Sequence, residues 1–364
     1  MVKKLKPLIC FYEHENYIFS KNYTLRECPA QQKVYDFLKE IEDKFSSSLK
    51  VVQLNFEFDN QKLFVKQKNL YGSAKASVFI LNEFRIGPLP EILVSLSTTS
   101  AFKGANFQSN VNKEKFIKKT KFVIEQIANG RIYQANLTAP LSASCSDPTE
   151  DVFCYYQSRF TGAYKALLPL KHVDLHCFSP ELFLQQRNGT LLTRPIKGSL
   201  SQGKDFDTQL FANEKEEAEL SMIVDLLRND LNALSEENNA VVVSHRERMK
   251  LGYIQHTFSE ISVKCDQPLS QVLEKTFPGG SISGCPKIES LIVIREVEDY
   301  QRQIYTGSLG WWQNNEFTLN IVIRSLIQSD DQLFYHAGCG IVYDSDPEAE
   351  WDEFILKTGA LNVV

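Results

Sequence analysis

The sequence predicts a mixed α/β (α+β) fold built as one large unit. Three observations predict it. The 364 residues are 43% hydrophobic and 23% charged, the balance of an ordinary globular chain with enough apolar material for a sizeable core. Short apolar runs bounded by turn residues alternate with longer amphipathic stretches from one end to the other. The last third reads as strands joined by tight turns and closed by a helix. The length admits two domains, and one composite domain fits equally well.

Net charge is −5, which speaks against nucleic acid and anionic membrane as partners. Eight cysteines are scattered at 10, 28, 145, 154, 177, 265, 285 and 339 with no C-x-x-C pair. Reduced thiols in the cytoplasm are expected, rather than a disulfide frame or a zinc site. The apolar stretch Leu8–Tyr12 is too short for a signal peptide, and no apolar run approaches membrane-spanning length. The expected class is therefore a soluble cytoplasmic enzyme or binding protein.

In the first hundred residues, Gln31–Phe45 reads as a helix and Val51–Phe58 and Val78–Phe84 as strands, with no chemical motif. Asn112–Asn129 is expected to be a helix, because Phe116, Thr120, Val123, Ile124 and Ile127 share a face and Gly130 stops it. Gly130–Thr138 follows as a strand with Ile132, Gln134, Asn136 and Thr138 on one face, a polar stripe that faces solvent or lines a pocket. After the polar break Ser142–Pro148, Thr149–Tyr164 reads as a helix and Val173–Leu184 as a strand containing Ser179-Pro180-Glu181. Asp207–Leu234 forms one long helix or two, with Leu220, Ile223, Leu227 and Leu231 as its buried stripe. Ala240–Ser244 and Tyr253–Val263 read as strands, the second carrying His256. Pro286–Glu298 is a helix with proline at its first turn. Gln303–Trp312 and Glu316–Ile327 form a hairpin around Gln313-Asn314-Asn315, Gln332–Tyr343 adds a strand, and Pro347–Leu361 closes the chain as a helix.

Several stretches carry chemistry, although each alone also reads as an ordinary structural or solvated feature. In Pro195-Ile196-Lys197-Gly198-Ser199 a lysine stands between a residue of fixed φ and one that permits close approach. A lysine so held can be desolvated into a nucleophilic amine. Pro278–Lys287 holds three glycines before a helix, a setting in which free N–H groups bind anions, without Walker A spacing. Arg324 stands in an apolar strand and calls for an anionic partner, and Ala337-Gly338-Cys339-Gly340 offers accessible amides. Glu216 with Glu219, and Glu350 with Glu353, each put two carboxylates on one helix face, with Lys357 one turn beyond the second pair. All-carboxylate ligation suits Mg²⁺, and Mg²⁺ with arginine, lysine and glycine amides suits a multi-carboxylate ligand.

With these segments in view the chain resembles the chorismate-utilising enzymes, from about Asn112 to the C-terminus. The resemblance is carried by Tyr133-Gln134 to Thr138, Ser179-Pro180-Glu181, Pro195-Ile196-Lys197-Gly198, Ala218-Glu219 to Asp230, His256, Pro278 to Lys287, Tyr305 to Gly310, Ile323-Arg324 and Ala337 to Glu353. It implies two large antiparallel sheets packed as a sandwich, helices outside, and an active site in a cleft between the halves. Residues 1–110 would be a shortened N-terminal part of that sandwich and 111–364 the chorismate-binding catalytic region, together one composite domain. Family members that add water have a lysine where this chain has Gln134, and glutamine there goes with ammonia. Anthranilate synthases carry alanine where this chain has Lys197, whereas lysine marks enzymes that put nitrogen on ring carbon 4. The resemblance makes Lys197 the covalent nucleophile and Glu181 the general acid. It assigns Glu216, Glu219, Glu350 and Glu353 to Mg²⁺. It assigns Gln134, Gly198, Ser199, His256, Tyr305, Arg324, Gly338, Gly340 and Lys357 to the substrate site. Ammonia is expected from a glutamine amidotransferase subunit, since the chain has no room for a glutaminase domain and no recognisable Cys–His nucleophile pair.

Cys285, Cys339 and Ser199 stand where the family usually has alanine, glycine and threonine, and a Cβ at 339 is expected to crowd the substrate carboxylate. A tryptophan pocket of the kind some relatives carry is not expected in the short N-terminal region. Two other readings stay open. One is another ammonia-using chorismate enzyme, such as an anthranilate synthase, against which Lys197 speaks. The other is a catalytically silent paralogue that binds chorismate, against which Lys197, Glu181 and four intact glutamates speak.

Overall fold

The computed structural model describes residues 6–57, 70–71, 73–96, 102–109, 111–201, 214–235, 237, 239–251 and 254–363. They form β1 (Leu8–Glu13), β2 (Asn16–Glu27), α1 (Val34–Lys44), β3 (Lys50–Leu54), β4 (Ala76–Pro88), α2 (Leu89–Val94), β5 (Asn106–Ser109), α3 (Lys113–Ala128), β6 (Gln134–Ser144) and α4 (Thr149–Gln157). There follow β7 (Tyr164–Pro169), β8 (Asp174–Ser179), β9 (Leu182–Arg187), β10 (Thr190–Arg194), β11 (Ile196–Ser201), α5 (Glu214–Asn232), β12 (Val241–Leu251), β13 (Ile254–Lys264), α6 (Leu269–Thr276) and α7 (Gly280–Ser283). The chain ends with β14 (Gly284–Cys285), α8 (Lys287–Val297), β15 (Ser308–Gln313), β16 (Glu316–Ile321), β17 (Ser325–Ser329), β18 (Gln332–Ile341), α9 (Pro347–Leu356) and β19 (Asn362–Val363).

Antiparallel ladders join the strands into a ribbon. One arm runs β12, β13, β10, β9, β16, β15, β3, β4. The long strand β2 links β4 to β1, and the second arm continues β1, β7, β8, β17, β18, β6, β5. Among the described residues the only parallel pairing is the short β5–β19 contact. The arms face each other. Tyr12 of β1 packs on Trp311 of β15 with ring centroids 4.7 Å apart, and Asn320 of β16 donates to the Cys177 sulfur of β8 at 3.1 Å. None of these strands are ladder neighbours, so the contacts cross between the sheets and seal an apolar core.

Helices cover the outside for local reasons. On α1, Val34, Phe37, Leu38 and Ile41 recur at three- and four-residue spacing and are buried. The helix stops where the buried Lys50 ammonium donates to the carbonyls of Phe45 and Ser48 at 2.6 and 2.7 Å, over the face of Trp312. Asn112 caps α3 by accepting from the Lys115 N–H at 2.9 Å, worth about 1 kcal/mol, and Phe116 then packs on Trp351 and Phe354 of α9. Asp346 caps α9 the same way, with Pro347 pre-set at the first position.

Several expected elements differ, among them the strand expected over Gln303–Trp312, which begins only at Ser308, and that over Ala240–Ser244, which runs on to Leu251. The strand expected over Val173–Leu184 is two strands, because Pro180 cannot donate to a ladder and the chain changes partner there, from β8–β17 to β9–β16. The strand expected over Glu316–Ile327 breaks at Arg324, whose φ of 48° lies in the left-handed region. The helix expected over Thr149–Tyr164 ends at Gln157, while β6 starts at Gln134 and runs through the expected polar break, held to β18 from Ala135 to Ser144. Among the described residues no helix is long and apolar enough to cross a membrane.

Candidate active site

Both breaks face one cleft between the arms. The cleft encloses about 130 Å³, space of the order that holds a single six-membered ring. Glu181 enters from the β8–β9 break, Lys197 and Gly198 from β11, Glu219 from α5, and His256 from β13. Tyr305 enters from the turn before β15, Arg324 from the β16–β17 break, Gly338 and Gly340 from β18, and Glu350, Glu353 and Lys357 from α9 and its end. Gln134 stands just behind this wall: a Cβ built on Gly340 would lie 2.6 Å from the Gln134 amide nitrogen and 3.4 Å from Lys197 Nζ. Gln134, Gly340 and Lys197 are therefore immediate neighbours. Ser199 and Glu216 fall on β11 and α5, but their side chains lie outside the described residues.

Lys197 is placed by a bulge. It pairs with Thr257 of β13, whose hydroxyl donates to the Lys197 carbonyl at 3.1 Å; the register then slips at Gly198, where φ is 68°. Lys197 Nζ reaches the Ser281 carbonyl at 3.5 Å, and the Ser281 hydroxyl donates to Glu181 at 2.7 Å. One residue of the glycine-rich segment thus bridges amine and carboxyl. Burial pushes the Glu181 carboxyl above the usual range, against the opposing pull of the Ser281 hydrogen bond and the Lys197 charge.

A second chain of contacts fixes the loop that carries Lys197. Arg324 donates to His256 Nε2 at 2.7 Å, so Nε2 accepts and the proton sits on Nδ1, which donates to the Gly198 carbonyl. Burial, reinforced by the Arg324 charge, lowers the imidazole to about 3, which keeps it neutral as this tautomer requires. Lys357 donates to Glu353 and to the Gly338 carbonyl, both at 2.7 Å. Burial alone would lower its ammonium; the Glu353 carboxylate outweighs burial and holds it well above the usual range.

Oxygen atoms of Glu350 and Glu353 and the Cys339 sulfur lie within 4.8 Å of one another, and Glu219 faces the same cleft from α5. The Glu350 carboxylate also accepts from Ser345 at 2.7 Å. Cys339 turns away from the cleft: its thiol donates to the Glu350 main-chain carbonyl at 3.4 Å and is fully buried. β18 alternates, so residue 339 points toward α9 while Gly338 and Gly340 face the cleft. Burial pushes the thiol pKa up, and a soft sulfur suits Mg²⁺ poorly. The remaining donors are carboxylates, a hard set that fits Mg²⁺.

Sequence reasoning left Ser281 and His336 without a role, yet both line the cleft, as does Asn136 of the polar stripe on β6. The signal for His336 was available, since 336, 338 and 340 alternate onto one face of a strand.

The site is thus a buried, partly cationic cleft in which the Lys197 amine and the Glu181 carboxyl share Ser281, suited to a small ligand carrying carboxylates. The model of the chorismate binding enzyme family matches residues 25–362, and the chain belongs to that family. It is 35% identical over 274 residues to an anthranilate synthase component 1 of Haloarcula marismortui, covering 73% of this chain and 54% of that protein. It is 32% identical over 265 residues to aminodeoxychorismate synthase component 1 of Bacillus subtilis, covering 70% of this chain and 56% of that protein. The chain spans about half the length of these curated relatives. The crystal structure of anthranilate synthase component I from Streptococcus pneumoniae superposes with a TM-score of 0.78 at 22% identity, over 97% of this chain and 89% of that one, and shares the fold.

Proposed function

We propose that this chain is component I of an aminodeoxychorismate synthase, converting chorismate and ammonia to 4-amino-4-deoxychorismate for para-aminobenzoate and folate synthesis in the cytoplasm. The observation that carries the reading is the Lys197–Ser281–Glu181 link, which sets a nucleophilic amine beside a carboxyl whose pKa is raised. The neutral Lys197 amine bonds to ring carbon 2, both ring double bonds shift by one position toward carbon 4, and the carbon 4 hydroxyl leaves as water with the proton of Glu181. Ammonia then bonds to carbon 4, both double bonds return, the carbon 2–nitrogen bond breaks with its electron pair leaving on the Lys197 amine, and Glu181 takes the excess proton from the new ammonium. Gln134, adjacent to Lys197, is uncharged and leaves the approach to ammonia rather than activating water. Tyr305, Arg324 and the amides of Gly338 and Gly340 hold the enolpyruvyl carboxylate. His256 positions Arg324 and Gly198, and Lys357 positions Glu353. Glu219, Glu350 and Glu353, with Glu216, would hold a Mg²⁺ that supplies counter-charge to the ring carboxylate.

The relatives named anthranilate synthase keep amination at carbon 2 as the competing reading, and Lys197 weighs against it. Ammonia would come from a separate glutamine amidotransferase subunit. The test is product identification with purified protein, chorismate and Mg²⁺. With ammonium salt, 4-amino-4-deoxychorismate is expected; with glutamine alone, or after chelation by EDTA, negligible product is expected. Anthranilate as the product, turnover that survives EDTA, or equal rates from glutamine and ammonium would each contradict the corresponding part of the reading.

A further inference from the structure

Glu57 is 2% exposed, just beyond the end of β3, and does not line the cleft. The proposed reaction makes no use of it. Its carboxyl nevertheless accepts from the main-chain N–H of Gln303, at 3.1 Å to one oxygen and 3.0 Å to the other. Burial raises the carboxyl pKa, against the opposing pull of the Gln303, Glu57 and Arg302 main-chain N–H groups and of the Arg302 charge. A buried carboxyl gathered onto the backbone two residues from Tyr305 calls for an account.

The backbone supplies one. β3 and β15 pair antiparallel, with Leu54 opposite Ser308. Continuing that register would set Phe56 opposite Thr306. Instead the Phe56 N–H donates to the Gln303 carbonyl at 2.7 Å, so Ile304, Tyr305 and Thr306 leave the ladder as a tight loop with Tyr305 at its middle. Each end of the loop holds a residue in the left-handed region, Gln303 at φ 52° and Thr306 at φ 57°. Neither is glycine, so each carries a steric cost and persists only where its surroundings hold it. At the Thr306 end the main-chain N–H donates to the Val322 carbonyl at 2.8 Å. At the Gln303 end the holders come from the first hundred residues. Glu57 takes the Gln303 N–H, and the Tyr71 hydroxyl donates to the Arg302 carbonyl at 3.0 Å. Between these ends Tyr305 lines the cleft.

We propose that Glu57 and Tyr71 are positioning residues: by fixing the Gln303 end of this loop they set where the Tyr305 hydroxyl stands in the cleft. The inference rests on the reading of Tyr305 as a ligand of the enolpyruvyl carboxylate. That group keeps its bonds through the reaction, so the contact counts equally in ground and transition states. Weakening it raises KM and leaves kcat nearly unchanged. A merely structural role has the opposite signature, since a smaller folded fraction lowers kcat and leaves KM alone.

The test is a double-mutant cycle of Glu57→Gln with Tyr305→Phe, read as KM and kcat for chorismate with Mg²⁺ and ammonium salt, and as chorismate affinity by calorimetry. Glu57→Gln keeps the shape and turns one acceptor into a donor among main-chain N–H groups. Tyr305→Phe is expected to bind roughly 10- to 100-fold more weakly, the worth of one hydrogen bond to a charged group. Glu57→Gln is expected to raise KM by a smaller factor, roughly 3- to 30-fold, and the double variant should match Tyr305→Phe alone. If Glu57→Gln does not fold, Tyr71→Phe, which removes a single hydroxyl, takes its place in the cycle with the same expectation. Wild-type KM in the positioning variant, losses that multiply in the double variant, or a fall in kcat at unchanged KM overturns the inference while leaving the function standing. Wild-type KM in Tyr305→Phe overturns the inference together with the assignment of Tyr305. Failure of the wild type to turn over chorismate overturns the function and the inference with it.

Discussion

Lys197 and Glu181 are held by backbone as much as by each other. The bulge at Gly198 turns the lysine into the cleft, and Ser281 spans the gap to the carboxyl. Lys197→Ala is expected to reduce carbon 4 amination by orders of magnitude. Mass spectrometry of quenched wild-type enzyme should find a chorismate-derived adduct on the peptide that holds Lys197, and none in the variant. For Glu181, burial raises the carboxyl pKa. The folded chain therefore binds more protons than the unfolded one between about 4.3 and the raised value, and stability falls as pH rises through that window. In the proposed reaction the protonated form is also the acid, so activity should fall as pH rises through the same folded pKa. Glu181→Gln should lower turnover roughly 10²- to 10⁴-fold and flatten that segment of the stability profile, read by thermal melts from pH 4 to pH 9. Lys197 was legible in the sequence because Pro195 and Gly198 bracket it, and Glu181 through the resemblance carried by Ser179-Pro180-Glu181. Their proximity was not, since Ser281 is 84 positions from Lys197 and 100 from Glu181.

At the scale of elements, one buried pair braces the back of the cleft. Arg302 and Glu298, at 0% and 1% side-chain exposure, lie 2.7 Å apart. Arg302 also donates to the carbonyls of Ile282 and Asn136, and Glu298 accepts from the amide and hydroxyl of Thr138. The pair thereby ties the end of α8 to α7 and β6, the two elements that carry Ser281 and Gln134. Arg302→Leu leaves the Glu298 carboxylate buried without its counter-charge and should cost about 3–5 kcal/mol, measured by denaturant titration. A loss within 0.5 kcal/mol would contradict the bracing role. The helix expected from the sequence ends at Glu298, so Arg302 falls in a connection, and nothing in its neighbourhood announces burial. Helices with a clean apolar stripe, such as α3, were legible to within a residue at each end. Strands that change ladder partner midway, at Pro180 and Arg324, were not, because pairing over long separations decides where they break.

For the whole molecule, the ribbon of strands folds back on itself so that residues from 136 to 357 share one small cleft. Spacing alone supplied the two glutamate pairs and the arginine; resemblance supplied their convergence, and it pointed to the residues that family members hold in common. His336 escaped because it took no part in the resemblance. The account's central claim is that nitrogen enters at ring carbon 4 by way of Lys197. Its most direct test is the position of ¹⁵N in the product formed from chorismate and ¹⁵N-ammonium with Mg²⁺, read by NMR for wild type and Lys197→Ala side by side. The account predicts label on carbon 4 from the wild type and loss of that product in the variant, with any residual label on carbon 2. Label on carbon 2 from the wild type, or undiminished label on carbon 4 from Lys197→Ala, would contradict it.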